Sequence, residues 1–284
     1  MNELKGLPVV TAMTGKITEQ INILKSKNIT PKLSVIRIGE REDDISYERG
    51  IIKRFSAVSA EVDITVLPSD VTQELLEETV IAKNNDETVH GILLFRPLPK
   101  HLSEARIKSL IKPEKDVDGM GMQNNAYIYE GNKEGYSPCT AQAVMELLDF
   151  YEIDLTGKKV TIVGRSLVVG KPLAMLMLSK NATVTVCHTK TVDLPSECKK
   201  ADILIACAGV AKMITAEHIH ENQIIIDVGI NMLDGKLCGD VDYDGICDKV
   251  MAATPVPGGV GTVTTSVLLK NTVESAIIEL RAQS

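Results

Sequence analysis

The segment Val160–Pro172 (VTIVGRSLVVGKP) has the residue types and spacing of a phosphate-binding turn between a strand and a helix. Gly164 ends an apolar run and allows a sharp turn, and Gly170, six residues later, allows the helix to approach the strand closely. Pro172 fits the first turn of a helix, where its missing N–H costs no hydrogen bond. Because a helix N-terminus presents free N–H groups and partial positive charge, this turn is suited to bind an oxyanion.

Dinucleotide binding is one interpretation of this turn, and an ordinary tight strand–helix turn is the other. Ser166 and Val169 stand where the G-x-G-x-x-G fingerprint has its second and third glycines, so the fingerprint is only half met. The next predicted strand ends in CHTK and supplies no acid, although an NAD site usually has one about 20 residues on, to hold the ribose 2′-OH. Arg165, Thr189 and Lys190 suit a 2′-phosphate instead. The charges therefore favour NADP, and NAD stays open.

Other polar or glycine-rich segments stand where predicted strands end. Lys115–Gly119 (KDVDG) places two carboxylates around a turn, and an Asx-turn with both acids in solvent is the alternative. Thr254–Gly261 (TPVPGGVG) is suited either to bring bare backbone against a flat ligand or simply to link two elements. Asp227–Asn231 closes a strand and is suited to line the same crevice. His218 and His220 lie two residues apart on a predicted helix and point to different faces, so we expect no shared metal ion.

Two series of short strands alternate with helical periodicity and predict the frame that positions these segments. Apolar, strand-length runs without polar alternation indicate parallel sheets that are covered on both faces. The predicted strands are 33–38, 62–67 and 91–95, and then 159–164, 183–187, 202–207 and 223–229. The predicted helices lie around 13–24, 47–58, 76–80, 140–151 and 269–280, with others that begin near Gly170 and Thr191.

The pattern as a whole predicts an α/β protein of two α/β domains. The first is a three-layer domain of residues 1–140 plus about 263–284, to which the C-terminal helix returns. The second is a Rossmann-type domain of residues 141–262.

The composition excludes several classes of protein. The 284 residues are 44% hydrophobic and 24% charged, which is typical of a globular protein and not of a disordered one. The chain lacks an apolar run of about 18 residues and a signal-like N-terminus, so we expect no membrane span and a cytoplasmic location. The net charge is −7 and the aromatic content is 3% without Trp, so we expect no nucleic-acid partner. The six cysteines form no C-x-x-C pair, and we expect reduced thiols with Cys139 structural.

Nine segments taken together resemble the methylenetetrahydrofolate dehydrogenase/cyclohydrolase family. The resemblance extends over nearly the whole chain, and KDVDG, GRSxxVGKP and TPVPGGVG in this order are jointly very specific. The segments are Tyr47 on the second helix, RPLP (96–99), PEKDVDG (113–119), SPCTAQ (137–142), VGRSxxVGKP (163–172), CHTKT (187–191), DVGIN (227–231), GDV (239–241) and TPVPGGVG (254–261).

The resemblance implies a homodimer of two-domain chains, with folate bound near the N-terminal domain and NADP bound on the Rossmann-type domain, across a cleft. In the family, the tyrosine that matches Tyr47 stacks on the pterin and aminobenzoyl region, and the aspartate that matches Asp118 holds the polar edge of the pterin. These two are the expected catalytic residues. The expected substrate-binding residues are Tyr47, Ile51, Phe95, Asp118, Pro257, Gly258 and Gly259. The expected cofactor-binding residues are Gly164, Arg165, Ser166, Thr189 and Ile230, and no metal ligand is expected.

This chain departs from the family's pattern at the active site. The family has Tyr-x-x-x-Lys on the second helix, and here the lysine position is Ile51. The glutamine of the family's Gln-Leu-Pro-Leu-Pro run is Phe95, and a serine three residues before the tyrosine is Asp44. The last loop continues with Gly261–Thr264 (GTVT) where the family has Gly-Pro-Met-Thr. Two of the three principal polar residues are therefore apolar, and only Asp118 remains.

No nearby cation is expected to replace the lysine cleanly. Lys53 lies about 120° around the helix from Tyr47, and Arg54 lies about 10 Å along its axis. Arg96 follows Phe95 on the predicted strand, so its side chain is expected on the opposite face. A register shift that recruits Lys53 stays open.

The chemistry separates the two activities of the family. Hydride transfer from 5,10-methylenetetrahydrofolate needs orientation and contact distance but no proton removal by the enzyme. Hydrolysis of the methenyl product needs activated water, for which acid–base help contributes about 10²–10⁴-fold. We therefore expect an NADP-dependent methylenetetrahydrofolate dehydrogenase with weak or absent cyclohydrolase activity. The alternatives are a bifunctional enzyme, a non-catalytic folate or nucleotide sensor, and a Rossmann oxidoreductase for another small substrate.

Overall fold

Residues 1–132 and 134–282 are described by a computed structural model, in which the chain divides into two compact units. The three-stranded unit comprises Ala12–Cys139 and the chain from Thr265 onward, and the six-stranded unit comprises Met1–Thr11 and Thr140–Thr264. The elements in chain order are β1 (Asn2–Glu3), α1 (Gly6–Lys25), β2 (Lys32–Ile38), α2 (Glu42–Ser56), β3 (Glu61–Leu67), α3 (Gln73–Asn85), β4 (Gly91–Leu94), α4 (Glu104–Leu110), α5 (Met122–Glu130), α6 (Cys139–Phe150), β5 (Lys159–Val163), α7 (Gly170–Ser179), β6 (Thr183–Cys187), α8 (Leu194–Lys199), β7 (Ile203–Ala206), β8 (Ile224–Asp227), β9 (Asn231–Leu233), β10 (Lys236–Cys238), α9 (Tyr243–Ile246), β11 (Ala252–Ala253) and α10 (Val260–Ala282).

The three-stranded unit is built on a parallel sheet in the order β3-β2-β4. Nearly every residue of β2 and β4 is buried, as expected for a parallel sheet that is covered on both faces. From Thr265 onward α10 belongs to this unit: the Asn271 Nδ2 donates to the Val117 carbonyl at 2.8 Å, and the Ser275 hydroxyl donates to the Glu114 carbonyl at 2.8 Å. The predicted return of the C-terminal helix to the first domain is therefore confirmed.

The six-stranded unit has a sheet in the order β1-β11-β8-β7-β5-β6 in which every pair is parallel. Counted from β5, this is the doubly wound order 2-1-3-4-5, whose order reverses between β5 and β7. Ligands of open α/β sheets bind at such a reversal, outside the carboxyl ends of the strands. The Gly164–Gly170 turn follows β5 and therefore lies at this position.

The first eleven residues belong to the six-stranded unit and not, as predicted, to the first domain. β1 pairs with β11, and the Leu4 N–H donates to the Ala253 carbonyl at 2.8 Å. The two strands have two residues each, which is too short to show a period, so neither was predicted.

The predicted helices differ from the observed ones at their ends, and α4, α5 and α9 were not predicted. The segment around His218 forms one 3₁₀ turn, Ala216–His218, and not a longer helix. The helix predicted near Thr191 begins at Leu194, because the Asp193 carboxylate accepts the Ser196 N–H and caps it there. Among the described residues, none of the helices combines the length and the apolar character that a bilayer crossing requires.

Candidate functional site

Tyr47 lies on α2 of the three-stranded unit, with its ring against the ring of Phe95. The two ring centroids are 5.6 Å apart with an interplanar angle of 39°. Tyr47 stays 37% exposed, so part of the phenol ring is open for a ligand to stack on. Burial raises the pKa of its hydroxyl, and the nearby Cys139 and Asp118 raise it further, so the phenol is neutral. The structure thus brings Tyr47, Phe95 and Asp118 to one place.

Ile51 lies one helical turn after Tyr47 and is completely buried. Phe95 follows β4 and is also buried. Neither side chain donates or accepts a proton, so these two positions offer apolar packing and no acid–base group. Lys53 is exposed on α2, and no described contact joins it to Tyr47 or Asp118.

The two acids of the KDVDG turn have different surroundings, and neither is freely solvated as in an open Asx-turn. Asp116 is buried and accepts hydrogen bonds from the Met120 and Gly121 N–H groups at 3.0 and 2.8 Å, and from the Asn124 amide at 2.7 Å. It therefore stabilises the turn. Asp118 is mostly buried and turns to a different set of partners, which leaves it as the acid available to a ligand.

Glycine is required after Asp118. Gly119 has a φ of +61°, and a Cβ at this position would lie 2.5 Å from the Tyr136 carbonyl oxygen. The turn therefore packs directly on the segment that leads into α6, and this contact fixes the direction of the Asp118 side chain.

The Asp118 carboxylate contacts Arg96 and Cys139. The Arg96 Nη2 lies 3.3 Å from the Asp118 Oδ2, and Cys139 lies beside this carboxylate while its thiol donates to the Val117 carbonyl at 3.4 Å. Burial raises the pKa of Asp118, while Arg96 and Cys139 oppose the shift. Burial and the neighbouring Asp118 also raise the pKa of the Cys139 thiol well above its ordinary value, so this thiol is not a nucleophile.

The contact between Arg96 and Asp118 corrects the sequence analysis. The expected opposite orientation of Phe95 and Arg96 assumed that both lie on a strand, but β4 ends at Leu94. Beyond that residue the alternation of side chains no longer holds, and the guanidinium reaches the same cluster as the Phe95 ring. Arg96 is the site residue that sequence reasoning missed, and its signal was the Pro97 that prevents β4 from continuing.

The glycine turn of the six-stranded unit has the close approach that its spacing predicts. A Cβ on Gly170 would lie 2.2 Å from the Gly164 carbonyl oxygen, and a Cβ on Gly164 would lie 2.3 Å from the Cys207 carbonyl oxygen. Gly164 also has a φ of +131°, and α7 begins at Gly170. Ser166 supports the turn, since its hydroxyl accepts the Val169 N–H at 3.1 Å. The backbone cradle in front of α7 therefore tolerates only glycine at these two positions.

The end of β6 lies beside this turn. Val163 and Cys187 are in register on β5 and β6, and the Gly164 N–H donates to the Cys187 carbonyl at 2.9 Å. Arg165 and Thr189, which follow these two strands, are both exposed. No acid stands in residues 187–191, so the surface next to the cradle is suited to an anion such as a 2′-phosphate.

Two buried aspartates fix the loops at the ends of β7 and β8. Asp227 accepts the N–H groups of Gly229, Asp240 and Val241 at 2.9, 3.0 and 2.9 Å. Asp240 in turn accepts the N–H groups of Ala208 and Gly209 at 2.6 and 2.9 Å. Burial raises the pKa of Asp227 to about 6 in spite of these hydrogen bonds. The role of Asp240 was not predicted, because GDV carries no signal that separates a structural acid from a surface one.

The remaining predicted residues of this unit line exposed loops. Ile230 is 64% exposed in the loop between β8 and β9. Pro257 and Gly258 are exposed, and the Gly258 carbonyl accepts the Gly6 N–H at 2.8 Å. Gly259 is buried, and a Cβ there would lie 2.5 Å from the Pro255 carbonyl oxygen. This loop therefore presents bare backbone, as its composition predicts.

The two histidines of the H-x-H segment bind separate partners. The Thr215 N–H donates to the His218 Nδ1 at 3.2 Å, and the His220 Nε2 contacts the Ala201 carbonyl at 3.0 Å. Within residues 1–132 and 134–282, no group of three or more His, Cys, Asp or Glu side chains is arranged to hold a metal ion.

Two family models match the chain. The model described as "Tetrahydrofolate dehydrogenase/cyclohydrolase, catalytic domain" matches residues 4–118, and the model described as "Tetrahydrofolate dehydrogenase/cyclohydrolase, NAD(P)-binding domain" matches residues 138–280.

Curated relatives and solved structures agree with these matches. The chain is 52% identical over 266 residues to the bifunctional protein FolD of Clostridium botulinum strain Okra, which covers 92% of this chain and 94% of the relative. It is 47% identical over 277 residues to the bifunctional protein FolD of Clostridioides difficile, and the match covers 97% of this chain and 96% of the relative. The structure of FolD methylenetetrahydrofolate dehydrogenase/cyclohydrolase from Campylobacter jejuni matches with a TM-score of 0.96 at 39% identity, over 98% and 99% of the two chains. The Trypanosoma brucei dehydrogenase-cyclohydrolase complexed with NADP and an inhibitor matches with a TM-score of 0.92 at 36% identity, over 98% and 97%.

Proposed function

Because the chain belongs to the tetrahydrofolate dehydrogenase/cyclohydrolase family, we propose that it oxidises 5,10-methylenetetrahydrofolate to 5,10-methenyltetrahydrofolate with NADP as the hydride acceptor. The reaction named for the Campylobacter relative and the NADP in the Trypanosoma complex support this proposal. The observation that carries it is the Gly164–Gly170 cradle beside the acid-free end of β6, because the two together fit a dinucleotide with a 2′-phosphate. The six-stranded unit then binds NADP, and the three-stranded unit binds folate.

The residues of the six-stranded unit fit the parts of NADP in order. The Gly164–Gly170 turn and the positive end of α7 suit the pyrophosphate. Arg165 and Thr189 suit the 2′-phosphate, and the exposed Ile230 offers an apolar surface to a ring of the cofactor. When bound, NADP supplies the hydride acceptor.

The residues of the three-stranded unit bind and orient the folate. The open part of the Tyr47 ring is a stacking surface for the pterin, and the Phe95 ring packs against that ring at a centroid distance of 5.6 Å. The Asp118 carboxylate accepts hydrogen bonds from the N–H groups on the polar edge of the pterin. Hydride transfer needs nothing more from these residues, since orientation alone supplies a large part of the acceleration and no proton is removed.

Hydrolysis of the methenyl product makes a second demand on the same cluster. The curated relatives are named bifunctional proteins, which supports the bifunctional assignment over a dehydrogenase alone. In this chain, however, Ile51 and Phe95 cannot transfer a proton, and the guanidinium of Arg96 offers hydrogen-bond donors but no acceptor. We therefore propose that the cyclohydrolase activity is present but slow, by about 10²–10⁴-fold, relative to an enzyme with a lysine and a glutamine at these positions.

Paired assays on the wild type test the proposed dehydrogenase activity and the proposed slow cyclohydrolase activity. Reduction of NADP in the presence of 5,10-methylenetetrahydrofolate measures hydride transfer, and the decay of methenyltetrahydrofolate absorbance above the buffer rate measures hydrolysis. The absence of hydride transfer with NADP and with NAD would overturn the dehydrogenase; binding of folate and NADP without turnover would then identify the non-catalytic sensor.

The variant Ile51→Lys combined with Phe95→Gln tests the explanation for slow hydrolysis. We expect it to raise the cyclohydrolase rate at least tenfold. Ile51→Met with Phe95→Leu is the matched control, because it changes the same positions without adding a polar group. This explanation is contradicted if the wild type already hydrolyses methenyltetrahydrofolate as fast as it transfers hydride. It is also contradicted if the polar double variant gains no more cyclohydrolase activity than the apolar one.

We also propose that the chain forms the homodimer that the resemblance implies. The hairpin β9–β10 forms a sheet separate from the six-stranded one, and it exposes Met232 and Leu237 by 66% and 41%. An isolated two-stranded hairpin is marginally stable, and exposed apolar side chains on it suit a second copy of the chain. Sedimentation equilibrium tests this proposal, and a monomer at micromolar concentration contradicts it.

A further inference from the structure

Arg96 belongs to a row of four alternating charges that ends at the Asp118 carboxylate. The Lys108 Nζ lies 2.5 Å from the Glu104 Oε1, and the same oxygen lies 3.6 Å from the Arg96 Nη1. The other terminal nitrogen, Nη2, lies 3.3 Å from the Asp118 Oδ2. Glu104 therefore holds one end of the guanidinium while the other end contacts Asp118.

This row is mostly withdrawn from solvent. The side chains of Arg96 and Asp118 are each 18% exposed, and Glu104 lies in the first turn of α4, whose N-terminus Ser103 caps. A helix N-terminus favours the negative charge of Glu104, which in turn favours the orientation of Arg96. A charge pair in such a position is screened far less than one on the surface.

Asp118 needs a cationic partner because the other groups around it are neutral or acidic. The titratable and charged groups that face it are Tyr47 from α2, Cys139 from α6, Asp116 from its own turn and Arg96 from the segment after β4. Burial keeps Tyr47 and Cys139 protonated, and a second carboxylate adds repulsion. Among the residues that the structure describes, Arg96 is therefore the cation in contact with this carboxylate, while α2 has Ile51 at its lysine position.

We propose that Arg96 is a positioning residue, which holds the Asp118 carboxylate as a hydrogen-bond acceptor for the N–H groups of the folate. This inference rests on the proposed function, in which Asp118 binds the pterin. A protonated carboxyl group would present its own hydrogen to those N–H groups and lose one acceptor. A guanidinium supplies charge and direction without giving up a proton, so Arg96 supports folate binding but does not replace the acid–base group that hydrolysis needs.

The kinetic test compares Arg96→Leu, Arg96→Lys and a control, Arg106→Leu. Arg106 lies on α4 and pairs with Glu77, away from Asp118. We expect Arg96→Leu to raise the KM for 5,10-methylenetetrahydrofolate about ten- to a hundredfold at pH 7, because a hydrogen bond to a charged group contributes about that factor. The KM for NADP should change less than twofold. The rise of the folate KM at acid pH should also begin at a higher pH, since Asp118 loses its cation. Arg96→Lys should restore part of the effect.

A double-mutant cycle separates positioning through Asp118 from a general structural effect. Tetrahydrofolate binding is measured by calorimetry for Arg96→Leu, Asp118→Asn and the double variant, and melting curves confirm that each is folded. If Arg96 acts through Asp118, the double variant binds tetrahydrofolate within about twofold of Asp118→Asn alone. Additive losses, an unchanged KM, or an acid limb that does not move would each overturn the proposal.

Failure of this inference is distinguishable from failure of the proposed function. A wild type that does not oxidise methylenetetrahydrofolate overturns the function itself. A wild type that does, together with an Arg96→Leu variant that keeps the wild-type folate KM and pH profile, overturns only the role of Arg96.

Discussion

Substitution of Gly170 by alanine should separate cofactor binding from folate binding. The added Cβ would lie 2.2 Å from the Gly164 carbonyl oxygen, which is about 1 Å short of an ordinary contact. Neither atom belongs to a flexible side chain, so the start of α7 and the end of β5 must move apart by about that distance. Overpacking of this kind costs about 1–3 kcal/mol of stability.

The effect on NADP affinity should be larger than the effect on stability alone suggests. The pyrophosphate is expected to accept hydrogen bonds from the backbone of the Gly164–Gly170 turn at the positive end of α7, and this turn loses its alignment with the helix when α7 moves by about 1 Å. A hydrogen bond to a charged group contributes about 1.5–3 kcal/mol, which corresponds to a loss of about ten- to a hundredfold in affinity. Tetrahydrofolate affinity should stay within about twofold, since α7 belongs to the other unit.

Calorimetric titration with NADP and thermal unfolding of the free protein measure the two effects. Gly15→Ala is the matched control: Gly15 lies in α1 with no atom within 4 Å of the built Cβ, so the same change should stabilise by about 0.5–1 kcal/mol and leave NADP binding intact. A Gly170→Ala variant that binds NADP within twofold of the wild type would show that the close approach is not what forms the cofactor site.

Two buried groups should give opposite pH dependences of stability. The pKa of Asp227 is raised from 3.8 to about 6, so near pH 5 the folded state holds a proton that the unfolded state has released. As the pH falls from 7.5 to 5, the free energy of unfolding of the wild type should therefore rise by about 1 kcal/mol relative to that of Asp227→Asn. The pKa of His90 is lowered from 6.5 to about 4 by burial and by Lys115 and Lys32, so the unfolded state takes up the proton first. The free energy of unfolding of the wild type should therefore fall over the same range by about 1 kcal/mol relative to that of His90→Asn, after allowance for screening by solvent. The asparagine keeps an acceptor for the Lys32 N–H. Urea unfolding at the two pH values checks both, and a difference of the opposite sign refutes the assignment of that group.

The sequence predicts the longer strands well because the central ones are buried on both faces and read as continuous apolar runs. Each predicted strand agrees with an observed one within about two residues at either end. The glycine turn was also predicted, because the close approach of two backbone segments allows only glycine at those positions. Where one residue type has one physical reason, the sequence is sufficient.

The contacts of Arg96 and Asp240 were not predictable in this way. The orientation of Arg96 depends on where β4 ends, and an error of one residue in that boundary reverses the expected side. Asp240 binds backbone N–H groups that lie 31 and 32 residues earlier in the chain, and no local pattern reports such a contact. Both depend on tertiary packing, which periodicity does not describe.

The position of β1 determines where this chain can be cut. A fragment of residues 140–264 would contain all strands of the six-stranded sheet except β1. The backbone groups of β11 that pair with β1 would then have no partners. An unprotected strand edge invites pairing with other molecules, so such a fragment is prone to aggregate. Attaching residues 1–11 through a linker after position 264 would supply the missing neighbour, and a soluble NADP-binding piece of this protein is to be sought in that rearranged form.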